Sequence, residues 1–174
     1  MKYIVIVGAL LLSSTSAFAQ APYAGMQSRP IKALSEQQLA DLQAGRGMGL
    51  ALVAELNGYP GPAHILELAD KLELTAGQLT SVKALFDSMK EEALLLGSRL
   101  IEQEADLDKQ FASRTVSPES LKASTAAIAI IQGELRDTHL KHHLSTVALL
   151  SHNQMQRYAD LRGYGDQELH HHHN

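Results

Sequence analysis

The sequence predicts an all-α protein: a long antiparallel helical hairpin with shorter flanking helices. Serine or threonine stands three residues ahead of glutamine at Ser35, Thr75 and Ser151, the capping-box spacing that satisfies orphan amide groups at a helix start. Apolar residues on both sides of residue 115 recur at helical spacing over long stretches. Alternating runs of Val, Ile, Thr or Tyr are missing beyond the first residues, so strands have little support.

The chain opens with a secretory pattern. Lys2 is the positive end, Ile4 to Leu12 an apolar run, and Ala17-Phe18-Ala19 the small-x-small site that signal peptidase requires. A spanning helix needs about 20 apolar residues, so this run is too short for a stable anchor. Residues 1–19 are expected to be a cleaved signal peptide, which places the mature protein in the periplasm. Cleavage removes Lys2 and no acid, leaving 14 basic against 19 acidic side chains and a formal charge of −5. No Lys or Arg run could displace counterions from phosphate, so nucleic acid is an unsuitable partner. Cysteine is absent, which excludes disulfides, thiol nucleophiles and thiolate ligands.

Residues 20–34, with Pro22, Gly25 and Pro30, read as a flexible leader. One helical domain should cover residues 35–163, followed by a flexible, His-containing tail over residues 164–174. The Ser35 box opens a helix expected to reach Asn57, kinked or loosened by Gly45, Gly47 and Gly49, each costing about 1 kcal/mol against alanine. The Gly45-Arg46-Gly47-Met48-Gly49 stretch lacks the Lys-Ser/Thr ending of a phosphate loop and reads as close helix packing. Asn57-Gly58 supplies a left-handed stop and Tyr59-Pro60-Gly61-Pro62 a rigid turn. A short helix should run from Ala63 to Leu72.

Thr75 opens a long helix to about Phe111, along which Val82, Phe86, Met89, Ala93, Leu96, Leu100 and Leu107 form one stripe. Ser117-Pro118-Glu119 places a cap, a first-turn proline and a first-turn acid in order. The helix they open should reach Leu149, with Leu121, Ile128, Leu135, His142 and Leu149 at strict sevens and Ile131 between them. Two such helices joined by a tight turn near residue 115 make an antiparallel hairpin. Ser151 starts a final helix that ends at Gly163.

Histidines are the one chemically suggestive cluster. His139, His142 and His143 fall within an arc of about 100° on one helix. Positions 139 and 143 are one turn apart, the arrangement by which two imidazoles reach a single Zn, Ni, Co or Cu ion. His64 supplies a third nitrogen if the short helix packs beside the hairpin. Reflection of the hairpin about its turn sets Met89 opposite His142, with Asp87, Glu91 and Glu92 near the same level. A metal site of His64, His139, His142 and His143 competes with a plainer reading in which His142, on the apolar seam, is a hydrogen-bonded core residue. His170 to His173 would hold divalent metals loosely, whether native or an appended tag. Serine-hydrolase, zinc-protease and phosphate-loop patterns are missing, so neither an enzyme nor a small-molecule substrate is expected.

Leu74-Thr75-Ala76-Gly77-Gln78 matches the LTxxQ motif, and Leu150-Ser151-His152-Asn153-Gln154 matches it with serine for threonine. Over residues 63–162 the chain resembles the Spy/CpxP superfamily of periplasmic stress proteins, which includes a metal-binding branch typified by CnrX and ZraP. The resemblance implies a helical hairpin that forms a homodimer. It implies either sensing or resistance toward heavy metals, or binding of unfolded envelope proteins without ATP, with a membrane-bound regulator as a further partner. In the metal-binding branch the ligands are a His pair before the first motif, a Glu in the first long helix, and a His with a Met four residues later. His142 falls on that last His, but Thr146 stands at the Met position and Phe86, beside Asp87, at the Glu position. His64 lies about one residue from the first pair and Ala69 replaces its companion. Exposed Leu140, Leu144 and Val147 would offer a client or dimer surface.

Overall fold

A computed structural model describes residues 22–164. The expected signal peptide, and the tail beyond Tyr164 with its histidines, lie outside the described residues. Six α-helices follow a single 3-10 turn at Met26–Ser28: α1 (Glu36–Gln43), α2 (Leu52–Glu55), α3 (Pro62–Glu67), α4 (Ala76–Ala112), α5 (Pro118–Val147) and α6 (His152–Arg162). No strand occurs among the described residues.

Every expected helix start is made as the sequence indicates. The side chains of Ser35, Thr75, Ser117 and Ser151 accept hydrogen bonds from the amides of Gln38, Gln78, Ser120 and Gln154, and each box is reciprocal. The helix α4 turns back at Arg114, whose φ of 57° lets the chain reverse into the cap of α5. Polar pairs hold the hairpin in the expected register: Glu92 with Thr138 and Lys141, Arg99 with Glu134, and Gln110 with Ser124. Near the hairpin tip Ile31 is buried, and Lys32 meets Asp108 at 3.1 Å.

One expected element fails. The helix from Ser35 toward Asn57 stops at Gln43, because Gly45, Met48 and Gly49 take φ values of 64°, 46° and 78°. Three left-handed residues so close together do not kink a helix; they end it and send the chain across the hairpin. Only the single turn of α2 resumes helical geometry. The short helix α3 likewise closes at Glu67 and gives way to turns, not reaching Leu72.

Two apolar clusters result. Leu42 of α1 packs with Ala93, Leu96 and Leu100 of α4 and with Ile128, Ile131 and Leu135 of α5. Gly97 makes this approach feasible, since a Cβ there would stand 2.6 Å from the Leu42 carbonyl oxygen. At the other end Ile65, Leu72, Val82 and Tyr158 bury one another. Between the clusters α5 turns polar side chains inward: Thr138, His139, His142, His143 and Thr146 are all buried.

The two motif glutamines close the second end. Gln78 Nε2 donates to the Leu149 carbonyl at 2.8 Å and to Gln154 Oε1 at 2.9 Å, while Gln154 Nε2 donates to the Leu72 carbonyl at 3.3 Å and to Gln78 Oε1 at 3.0 Å. Each amide oxygen also accepts its own cap amide, from Thr75 or Ser151. Removal of either amide strands its partner, so Gln78→Ala and Gln154→Ala should each lower unfolding stability by about 2 kcal/mol. In urea titrations the double variant should lose less than the sum by about 1 kcal/mol or more; strictly additive losses would contradict the network.

Candidate functional site: a histidine-lined cavity

The chain that leaves α1 crosses the polar layer of α5, and glycines stand where it passes over the rings. A Cβ at Gly47 would sit 3.6 Å from the His139 ring, and one at Gly61 would sit 2.6 Å from His143 Nε2. A side chain at Gly61 would collide with the His143 ring, whereas one at Gly47 would only touch His139; beside these glycines lies a cavity of about 680 Å³, whose walls include Glu55, His64, Phe86, Met89, His139 and His143. Of the histidines expected to converge, three share this wall. The ring of His142 is not among the lining residues and is instead held in the hairpin seam.

Hydrogen bonds fix the tautomers. His143 Nδ1 lies 2.6 Å from the Tyr59 carbonyl and His142 Nδ1 2.7 Å from the Thr138 carbonyl. A carbonyl only accepts, so each Nδ1 carries a proton and, in the neutral ring, Nε2 holds the lone pair, the form in which an imidazole ligates metal. His139 Nε2 is buried with no hydrogen-bond partner. Burial, then the charges that His143 and His142 would carry, push the His139 pKa down, so this ring is neutral at neutral pH.

No family model, curated protein or solved structure matches the chain.

Glu55, the single buried residue of α2, organises the cavity floor. Its carboxylate accepts the Tyr158 hydroxyl and the Gly61 amide, the latter at 3.2 Å, and lies 3.2 Å from His64 Nδ1 and 3.9 Å from His143 Nδ1. Burial raises its pKa, but the hydrogen bonds from His64 and Tyr158 and the His64 charge outweigh that, so the group ionises more readily than a free glutamate. Burial, and then the Glu55 bond, push the Tyr158 phenol well above its ordinary value. Sequence reasoning passed over Glu55, although it is the one acid between Asp41 and Glu67 and sits in an apolar run from Leu50 to Leu56.

Among the described residues, no three His, Asp or Glu side chains stand together as a ready ion cage. What the walls offer is two imidazoles one turn apart, a third on α3, the carboxylates of Glu55 and of Glu67, the latter bonded to Arg162, and the Met89 thioether. The positions matched to the ligands of the metal-binding branch do not supply this set. Phe86 lines the cavity without a donor, and Thr146 is fully buried with its hydroxyl on the His142 carbonyl at 2.7 Å.

The lowered pKa of His139 sets a sign for acid behaviour. The unfolded imidazole titrates near 6.5, whereas the folded one resists the proton. The unfolded state therefore gains protons first as pH falls through that value, and stability is lost until the folded ring also titrates. Metal-free protein should unfold at lower urea between about pH 8 and about pH 5.5, and His139→Leu should flatten that slope. An equal slope in the variant would contradict the neutral, buried assignment.

Proposed function

We propose that the chain is a periplasmic envelope-stress protein, not an enzyme, that binds a divalent transition-metal ion in the cavity between its glycine-rich crossing segment and the hairpin. The observation that carries this reading is that His64, His139, His143 and the buried Glu55 all line one cavity. The Nε2 lone pair of His143, left free by its Nδ1 bond to Tyr59, and the Nδ1 edge of the neutral His139 ring, which lies under Gly47, suit that role. A donor set led by imidazole nitrogens, with no thiolate, suits Zn, Cu, Ni or Co more than Mg or Ca. An ion there would be held first by the His139 and His143 pair, with Glu55, His64 or Met89 completing the set. The secretory pattern of residues 1–19 and the two LTxxQ-like boxes support a place among envelope-stress proteins.

A second reading has its own observation. Leu95, Ile130 and Leu144 of the hairpin are 65%, 60% and 61% exposed. Such apolar side chains on two long helices suit weak capture of unfolded envelope proteins, or contact with a second copy of the chain. Failure to slow aggregation of a heated client at equimolar ratio would remove the capture role.

The metal reading is tested on the mature chain with His170 to His173 replaced by asparagine, which removes the tail's own affinity. It should bind about one equivalent of Zn, Cu, Ni or Co by calorimetry, and His139→Ala with His143→Ala should weaken binding by about tenfold or more. Unchanged affinity in the double variant would overturn the assignment.

A further inference from the structure

Residues 44–61 are attached to the body of the protein in an unusual way. Leu52 and Val53 of α2 and Leu56 just after it face solvent at 55%, 54% and 60% exposure, and the one buried side chain of α2 is the charged Glu55. Leu50, packed on the hairpin core, and the buried Ala51 and Pro60 anchor the two ends of the segment, while the stretch between them is held through hydrogen bonds to the Glu55 carboxylate. Backbone torsion can be absorbed at both ends, since Gly45, Met48 and Gly49 on one side and Gly58 on the other occupy the left-handed region. Beneath the segment lie the two rings that it covers, His139 under Gly47 and His143 under Gly61.

The partner that holds Glu55 comes from the far end of the chain. Tyr158 lies on α6, where its ring is buried against Ile65, Leu72 and Val82. Around it Arg162 stacks on the ring at 5.7 Å and bonds Glu67 of α3 at 3.0 Å, while Arg157 bonds Glu73 at 2.7 Å. Helix α6 is thus clamped to α3 and to the turn that follows it, and offers a fixed hydroxyl to the middle of the segment.

We propose that residues 44–61 form a strap closed over His139 and His143, latched by the hydrogen bond between Tyr158 and Glu55, and that solvent reaches these two buried rings only when the latch opens. The inference goes beyond metal binding and holds whatever the cavity takes. It assigns α6 a task that its position at the end of the chain does not suggest: the C-terminal helix sets how often the histidines meet solvent.

The test needs no metal. Mature protein and its Tyr158→Phe variant are treated with diethylpyrocarbonate, and the modification rate at each histidine is read by peptide mass spectrometry. Loss of a hydrogen bond to a charged acceptor should raise the rates at His139 and His143 by about tenfold or more. His142 is buried in the seam outside the strap and His152 is exposed, so both should keep their rates. Unchanged rates at His139 and His143, or an equal rise at His142 that signals general unfolding, would overturn the latch. Hydrogen exchange on the unmodified protein gives a check that does not depend on the variant folding. The amides of Leu52, Glu55 and Leu56 should exchange about a hundredfold faster than those of His142 and His143, because the strap opens without the hairpin. Equal protection of the two sets would also refute it.

Discussion

A carboxylate withdrawn from water is the constraint on which the middle of this protein depends. Glu55 is 5% exposed, and an ionised group so placed is tolerated only when donors surround it. The donors come from three places in the chain: the Gly61 amide ahead of α3, His64 on α3 and Tyr158 on α6. Satisfying one charge therefore fixes where the crossing segment, the short helix and the last helix meet. The cavity is the space that remains beneath them.

The hairpin supplies a frame that is rigid at both ends and polar in the middle. One end is closed by leucines and isoleucines against α1, the other by Ile65, Leu72, Val82 and Tyr158 beside the paired amides of Gln78 and Gln154. Between them a layer of threonine and histidine replaces apolar packing, which would be destabilising unless its polar atoms were met. His142 and Thr146 are met by backbone carbonyls of α5 itself, and His143 by the carbonyl of Tyr59. His139 is the exception, left with a buried, unpartnered nitrogen.

Much of the framework was legible because it is local. A capping serine or threonine and the amide whose hydrogen bond it accepts lie within four residues, so Ser35, Thr75, Ser117 and Ser151 could be placed from sequence, and the helical stripe then set the hairpin register. The segment after Gln43 was not legible in the same way. Gly45, Gly47 and Gly49 are compatible with a kinked helix and with an exit from helical geometry, and the choice is made by what lies opposite, here the His139 ring and the Glu55 donors. Helical angles placed three histidines on one face and the stripe of sevens put His142 on the seam, where it is held, but could not tell that His139 and His143 would line a cavity beneath the crossing segment. Glu55 carried a local signal, an acid alone in an apolar run, yet its partners lie up to a hundred residues away and no local pattern names them.

The carboxyl group of Glu55 is where the account is most directly exposed to measurement. With selectively labelled glutamate, the side-chain carbon resonance followed through an acid titration reports the ionisation of this one group. The account predicts that it is ionised at neutral pH and titrates below the ordinary glutamate value of 4.5, and that Tyr158→Phe moves it upward. A Glu55 that is neutral near pH 6, or that titrates unaffected by loss of the Tyr158 hydroxyl, would contradict it.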